Sequence, residues 1–283
     1  MSAAAAKPRF GRVVLIGKLR TPEIEASLRA TREFLARRGC TVLEQGADGA
    51  DLAIVVGGDG SMLAAARELV RSRVPLVGIN QGRVGFMTDI GRDDMQTGVG
   101  AILDGDYSME ERALLDAEIL REGKSVLRTL ALNEAVVGKG AQGRLIEFEL
   151  AIDGEFVYKL RADGVIVATP TGSTAYAMSA QGPILHPAVP ALALVPLNPH
   201  TLSARPVSVS DRSRIEITLV RAVDARAHFD GFALTDMQEG DRLVLKRSAD
   251  TVRFVHPPGY RYFATLRQKL RWSESLEKKS GLE

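Results

Sequence analysis

Cysteine is nearly missing from this chain. Its 283 residues include one, Cys40, which excludes an internal disulfide framework and a cysteine-built metal site. A lone thiol fits a reducing compartment, and Cys40 is expected to be buried and structural. No apolar run approaches the roughly 18 residues needed to cross a bilayer, and Met1 to Lys7 lacks the apolar centre of a signal peptide. The expected location is the cytoplasm, away from membranes. Neither sign of charge dominates: the net charge is +2 with the basic residues scattered, which argues against nucleic acid as a partner and leaves small anions open. The sequence has no G-x-x-x-x-G-K-[ST], so an ordinary P-loop is not expected. Its four histidines, His186, His200, His228 and His256, show no i,i+4 pairing and no cysteine neighbour. No metal-ligating residues are therefore assigned, each histidine is read as structural and hydrogen-bonded, and no Ser-His-Asp arrangement is visible.

What is present is ordinary globular composition, 45% hydrophobic and 25% charged, over a length that favours two domains. The first hundred residues alternate apolar runs and helical stretches. Arg12–Ile16, Cys40–Glu44, Asp51–Val56 and Val74–Ile79 read as strands, and Thr21–Arg38, Met62–Arg71 and Asp93–Asp104 as helices. Thr21 and Pro22 fit the start of the first helix and Gly39 its end. This rhythm predicts a parallel, doubly wound α/β sheet. After about Tyr107 the period changes to two, with strands at Arg144–Ile152, Glu155–Leu160, Arg214–Leu219, Arg242–Leu245 and Thr251–Val255. This second half reads as all-β and sandwich-like, with Asp153-Gly154 as a hairpin turn. Phe263, Leu266, Leu270 and Trp272 then space a C-terminal docking helix, followed by a charged tail through Lys278, Lys279 and Glu283. The expected division is 1–107, 108–255 and 256–283, the last segment returning to the first domain.

Chemistry concentrates in a few places. Gly57-Gly58-Asp59-Gly60-Ser61 lies between a strand and a helix, where glycines admit a phosphate to the backbone and the helix offers unpaired N–H groups. A carboxylate would repel that phosphate, so Asp59 is read as having a chemical task, against the alternative of simple turn punctuation. Asn133-Glu134 interrupts the apolar stretch Leu130–Val137, either as a buried carboxylate with a use or on an edge strand with Glu134 facing water. Asp163-Gly164, Val165–Ala168 and Thr169–Tyr176 form a strand and a polar loop. Its hydroxyls suit a hydroxyl-rich or base-bearing ligand, with Tyr176 able to stack, but equally suit helix capping. Gly138–Gly143 matches G-x-G-x-x-G, yet strand-like residues follow it, so it is read as a β-hairpin loop.

Taken in order, the Gly57–Gly60 turn, Gly82-Arg83-Val84-Gly85-Phe86, Asn133-Glu134, Asp163-Gly164, Thr169–Tyr176 and Pro199–Pro206 resemble the NAD kinase family of bacterial type, over roughly Ala53 to Gly240. The resemblance implies a Rossmann-like α/β domain followed by a β-rich, sandwich-like one, with the C-terminal segment returning to the first. It implies transfer of the terminal phosphoryl of ATP to the 2′-hydroxyl of the adenosine ribose of NAD, with magnesium or manganese. Asp59 would be the general base, and Gly57, Gly58, Gly60 and Ser61 would meet phosphate. Gly60 would also contact the dinucleotide, Phe86 would pack on a base, and Asn133 and Glu134 would hold a ribose. Asp163 would take a polar edge, Thr174, Ala175, Tyr176, Ala177, Met178 and Ser179 would line a base pocket, and Arg144 and Arg161 would meet the dinucleotide. After Asp230-Gly231 the family usually has Gln or Asn, whereas here Phe232 follows, so that contact lacks its amide. The family also implies a homodimer or homotetramer. Aspartate is a weak base toward an alcohol, so proton transfer is expected late or metal-assisted. Rivals are a lipid or sugar kinase with a similar turn, and a dinucleotide sensor that does no chemistry.

Overall fold

The structure, a computed structural model, describes residues 8–17, 21–43, 46–82, 85–141 and 143–272. Met1 to Lys7, Arg83, Val84, Gln142 and the tail containing Lys278, Lys279 and Glu283 lie outside the described residues. The chain divides into two compact units, Met1–Glu110 with Arg253–Glu283, and Glu111–Val252.

The first unit runs β1 (Arg12–Ile16), α1 (Pro22–Arg37), β2 (Thr41–Leu43), β3 (Leu52–Val56), α2 (Asp59–Leu69), β4 (Leu76–Asn80), β5 (Ile90–Gly91) and α3 (Met95–Leu103). The strands lie parallel in the order β2-β1-β3-β4, with β5 beside β4. Thr21 caps α1 by accepting the Ile24 N–H at 3.4 Å, and Gly39 turns the chain at a φ of +75°. Side chains alternate across a strand, and that alternation places the helices. Leu52, Ile54, Val56, Val77 and Ile79 share a core with Ile24, Phe34 and Leu35 of α1 and Val99 and Ile102 of α3. Gly78 faces the other way, where a β-carbon would come 2.9 Å from Sδ of Met62 in α2. Helices thus cover both faces, as the sequence rhythm predicts. Cys40 is buried at 8% exposure, with its thiol donating to the Phe10 carbonyl at 3.4 Å.

The second unit contains β6 (Ser108–Arg121), β7 (Lys124–Ala131), β8 (Glu134–Lys139), β9 (Ile146–Ile152), β10 (Glu155–Ala162) and β11 (Gly164–Ala168). A 3-10 turn, Gly172–Thr174, leads to the short α4 (Tyr176–Ser179), and then come β12 (Ala191–Leu197), β13 (Val207–Ser210), β14 (Ile215–Arg221), β15 (Ala225–Phe229), β16 (Ala233–Met237) and β17 (Arg242–His256). One antiparallel sheet has the order β13-β12-β11-β8-β15-β16, and β10-β9-β14-β17 run antiparallel in the other. Alternate residues of both, such as Ala135, Val137, Val165 and Phe229 facing Phe148, Leu150, Ile217 and Leu243, close on one core. The opposite face of the six-stranded sheet is covered in part by Ala177 and Leu185 over Val136, Ile166 and Val195. β8, β11 and β12 are therefore buried on both faces, and their residues give a continuous apolar run instead of an alternating one.

Several expectations change. Helix α2 begins at Asp59, not Met62, because an acidic residue in the first turn meets the positive end of the helix dipole. The Gly138–Gly143 segment is not a hairpin loop: β8 pairs with β11 and β15 while β9 pairs with β10 and β14, so it carries the chain from one sheet to the other. The two strands expected from Arg242 onward are one 15-residue strand. Its end joins the first unit, where Phe254 pairs in parallel with Leu76 of β4, and α5 (Tyr262–Leu270) follows. Of the expected apolar stripe on α5, Leu266 is buried, whereas Phe263 and Trp272 are 59% and 60% exposed. Asp153-Gly154 turns β9 into β10 with φ of +53° and +85°, as expected of a tight two-residue hairpin.

Candidate active site

In the first unit, β3 delivers its carboxyl end to Gly57, whose N–H is held by the Ile79 carbonyl at 2.9 Å. Gly57 has a φ of +154°, and a β-carbon there would overlap Oγ of Ser61. No other residue type fits that corner. Gly58 and Gly60 have open space where a side chain would stand, so the backbone at the head of α2 is approachable. Asp59, half-buried, directs its carboxylate away from the helix toward the segment after β4. Oδ2 accepts the Phe86 N–H at 2.8 Å and Oδ1 the Met87 N–H at 3.0 Å. Gly85 permits this, since a β-carbon on it would fall on the Asp59 carboxylate. Thr88 Oγ1 accepts the Gly85 N–H and the Asn80 side-chain N–H, each at 2.8 Å, and so fixes the same segment from behind. Each carboxylate oxygen keeps a second lone pair. The result is an oriented acceptor beside a helix N-terminus. Phe86, expected to pack on a base, contributes its backbone N–H to this arrangement, and its ring is half-buried.

In the second unit, Asn133 immediately precedes and Glu134 begins β8, a central strand between β11 and β15, which decides for the buried reading of Glu134 over the edge-strand one. Glu134 is 8% exposed, and Asp230 beside it 7%. The Asp230 carboxylate accepts three backbone N–H groups, from Leu132 at 2.8 Å, Asn133 at 2.7 Å and Glu134 at 3.1 Å. Asp230 takes a φ of +53°, a conformation that aspartate tolerates better than most residues. Glu134 has no such support: its Oε2, like Oδ1 of Asn133, is buried without a hydrogen-bond partner. Burial first, and the Asp230 charge second, push the Glu134 carboxyl up to about 7.

Glu134 lines a cavity of about 480 Å³ together with Val136, Gly138, Lys139, Asp163, Tyr176, Leu197, Asn198, His228 and Gly231. Asp163 is held by Lys139 at 2.6 Å and by the Asn198 amide at 2.9 Å, and these two hydrogen bonds keep its carboxyl below the usual range. Of the expected 174–179 lining only Tyr176 borders this cavity. Thr174 turns its hydroxyl to the Thr171 carbonyl at 3.1 Å, Ala177 is core, Ala175 and Met178 are half-buried, and Ser179 is exposed. Arg144 and Arg161 are exposed, with Arg161 opposite Glu147 across the β9–β10 ladder. Lys139, Asn198, His228 and Asp230 were not picked out as site residues from sequence. The signal available was the period-two pattern Ala225-Arg226-Ala227-His228-Phe229, which puts His228 on the face opposite the core.

Comparison with known proteins places this geometry. Residues 14–107 match the ATP-NAD kinase N-terminal domain, and residues 132–257 the ATP-NAD kinase C-terminal domain. An NAD kinase of Aromatoleum aromaticum is 55% identical over 284 residues, covering 93% of this chain and 95% of the relative. An NAD kinase from Archaeoglobus fulgidus, solved in complex with ATP, superposes with a TM-score of 0.78 at 28% identity, over 92% of this chain and 98% of that one. Yeast NADH kinase, solved with NADH, shares the fold at a TM-score of 0.85 and 22% identity, over 96% and 90%. On the two domain matches and the near full-length identity, the chain belongs to the ATP-NAD kinase family.

Proposed function

We propose that this chain transfers the terminal phosphoryl of ATP to the 2′-hydroxyl of the adenosine ribose of NAD, with Asp59 accepting the hydroxyl proton. The observation that carries the reading is the pairing of a phosphate-tolerant glycine turn with a carboxylate whose direction is fixed by two backbone N–H groups. Phosphoryl transfer asks mainly for positioning and charge neutralisation, so the protein needs no covalent intermediate. Gly57, Gly58, Gly60 and Ser61 would bring the phosphates to the N-terminus of α2. The cavity on the six-stranded sheet would bind the dinucleotide, with Glu134 supplying a buried oxygen that has no protein partner and Tyr176 a ring to stack on, and with Asn133, next to Glu134 in the chain, holding a second such oxygen.

A divalent ion, Mg²⁺ or Mn²⁺, would be the partner of the ATP phosphates, as the family resemblance implies. Among the described residues there is no group of three or more His, Cys, Asp or Glu that could hold a metal, and magnesium is commonly bound by one or two carboxylates, waters and the substrate's phosphates. Asp59 is the carboxylate of this turn able to contribute, and the ion would neutralise phosphate charge. The cytoplasm, and a homodimer or homotetramer, are the setting that the family resemblance supports.

The test is turnover. Purified protein with ATP, magnesium and NAD should form NADP, while diacylglycerol and fructose 6-phosphate in parallel reactions remain unphosphorylated. A parallel reaction with NADH shows whether the reduced dinucleotide is also taken. Asp59→Asn should fold, bind NAD and lose at least ~10²-fold in kcat. Gly85→Ala leaves Asp59 in place but drives its carboxylate off the 86–87 amides, so it should also be slow. Normal turnover by Asp59→Asn would remove Asp59 from its role, and tight NAD binding without NADP under any metal or donor would favour the sensor reading.

A further inference from the structure

The cavity on the six-stranded sheet holds one group that the reading above leaves without a task. His228 lies on β15 directly opposite Val136 of β8, so both side chains leave the sheet on the same side. Ala225, Ala227 and Phe229 fill the core on the other side, which leaves His228 on the floor of the cavity with Glu134 and Val136. Gly138, next on that floor, adds no side chain. The imidazole is half-buried, and burial first, then the charge of Arg226, hold its protonation below the ordinary imidazole range. It therefore stands uncharged near neutral pH, offering one N–H donor and one lone-pair acceptor.

The other polar groups of the cavity are mostly engaged with one another. Lys139 and Asp163 form an ion pair, and the second Asp163 oxygen accepts from Asn198. Oε2 of Glu134 has no partner, and among the described residues no hydrogen bond reaches the His228 ring. A buried acceptor left unmatched costs about 1–3 kcal/mol, so a ligand that donates to Glu134 is favoured there, and the half-buried His228 ring beside it is open to the same ligand. With burial pushing the Glu134 carboxyl up to about 7 and His228 uncharged, the floor carries little fixed charge and no cationic group to draw a phosphate. It suits uncharged groups that both donate and accept, which is the chemistry of sugar hydroxyls.

We propose that His228 is a recognition residue of this cavity, its imidazole hydrogen-bonding a ribose hydroxyl of the dinucleotide while Glu134 meets a neighbouring one. The assignment rests on the reading that the chain acts on NAD. It goes beyond that reading by naming a further specificity residue and the part of the ligand it touches.

The experiment compares the unaltered chain with His228→Phe, which keeps a ring and loses both hydrogen-bonding atoms, and His228→Gln, which keeps a donor and an acceptor. Dissociation constants for NAD, KM for NAD and for ATP, and kcat are measured on each after thermal melting shows that it is folded. The expected result is a rise of about 5- to 10-fold in Kd and KM for NAD in His228→Phe, from loss of about one hydrogen bond. The KM for ATP should not move, kcat should change little, and His228→Gln should recover most of the loss. NAD analogues lacking one ribose hydroxyl at a time supply the second arm: one of them should weaken binding to the unaltered chain by a similar factor and to His228→Phe by none. Wild-type affinity in His228→Phe, or an equal loss for every analogue in both proteins, overturns the assignment. Should His228→Phe not fold, the analogue series on the unaltered chain and His228→Gln decides alone, and an undiminished response to every missing hydroxyl overturns it. Failure of the unaltered chain to bind NAD at all overturns the preceding reading with this one, whereas unchanged binding in the variant overturns this one only.

Discussion

Two acidic side chains, one at the end of a parallel strand and one on the face of an antiparallel sheet, show opposite treatments of a carboxylate. Asp59 reaches two backbone N–H groups and remains half-buried, as an acceptor with a fixed direction. Glu134 is sunk in a sheet covered on both faces, next to another carboxylate, with Oε2 unmatched, and is pushed up to about 7. The neighbour that helps raise it, Asp230, resembles Asp59 in its treatment, since its oxygens are taken up by three amides. Amide-bound carboxylates order the backbone around them. A carboxylate left without donors keeps all its acceptor capacity for a ligand, whereas Asp59 offers only the lone pairs its two amides leave over.

The largest effect should come from cancelling the matched side of this comparison. Asp230→Ala leaves the amides of Leu132, Asn133 and Glu134 buried without acceptors, at about 1–3 kcal/mol each. Denaturant unfolding should register a loss on the order of 3–5 kcal/mol, less whatever relief Glu134 gains from losing the adjacent charge. A loss under about 1 kcal/mol would mean that the three bonds do not matter as argued.

Glu134→Gln sharpens the unmatched side. The folded carboxyl titrates near 7 against an ordinary value of 4.5, so the folded state binds the extra proton. Its contribution to stability is fully present below about 4.5 and is lost as pH rises through about 7, a change of roughly 3 kcal/mol at 1.36 kcal/mol per unit. Melting curves of the unaltered chain across that window should show the decline, and those of Glu134→Gln should be flatter. Equal slopes in the two proteins would place the titration elsewhere.

A smaller effect tests a third way of meeting carboxylates. His256, at the end of β17, stands between Asp89 at 2.6 Å and Glu110 at 3.1 Å, and stacks on Tyr260 at 3.9 Å between ring centroids. Burial alone would lower its protonation, but the hydrogen bonds to the two carboxylates outweigh burial and raise it. The raised direction means that this stability is complete below the ordinary histidine range and fades as pH climbs through the folded one. His256→Gln should cost about 1–2 kcal/mol near pH 6 and less near pH 9, read by denaturant unfolding at the two pH values. A cost independent of pH would remove the charge from the account.

Much of this is legible in the sequence. The 3.6- and 2-residue periods separated the α/β from the β-rich part, and Gly57 to Gly60 marked the strand-to-helix corner because few other residues fit it. Asn133-Glu134 stood out as polarity inside an apolar run. What local pattern could not supply was partnership between distant segments. Nothing near Asp59 in sequence says that its acceptors serve residues 86 and 87, and nothing near Asp230 says that it closes on residues 132 to 134. Gly138–Gly143 has the glycines of a hairpin loop, but the strands that flank it pair in different sheets, and adjacency in sequence carries no information on that. The 174–179 segment is one unbroken stretch in the sequence, whereas its short helix sends Ala177 into the core and only Tyr176 to the cavity.

Cys40 gives these comparisons a reporter that needs no engineering. It is the only thiol in the chain, it is buried in the α/β core, and burial pushes its ionisation up, so it should be nearly inert to disulfide and maleimide reagents in the native state. Labelling then proceeds only when the region around β2 opens. Its rate, followed in the presence and absence of ATP, would time that opening in the α/β unit alone and leave the fluctuations of the β-rich unit unseen.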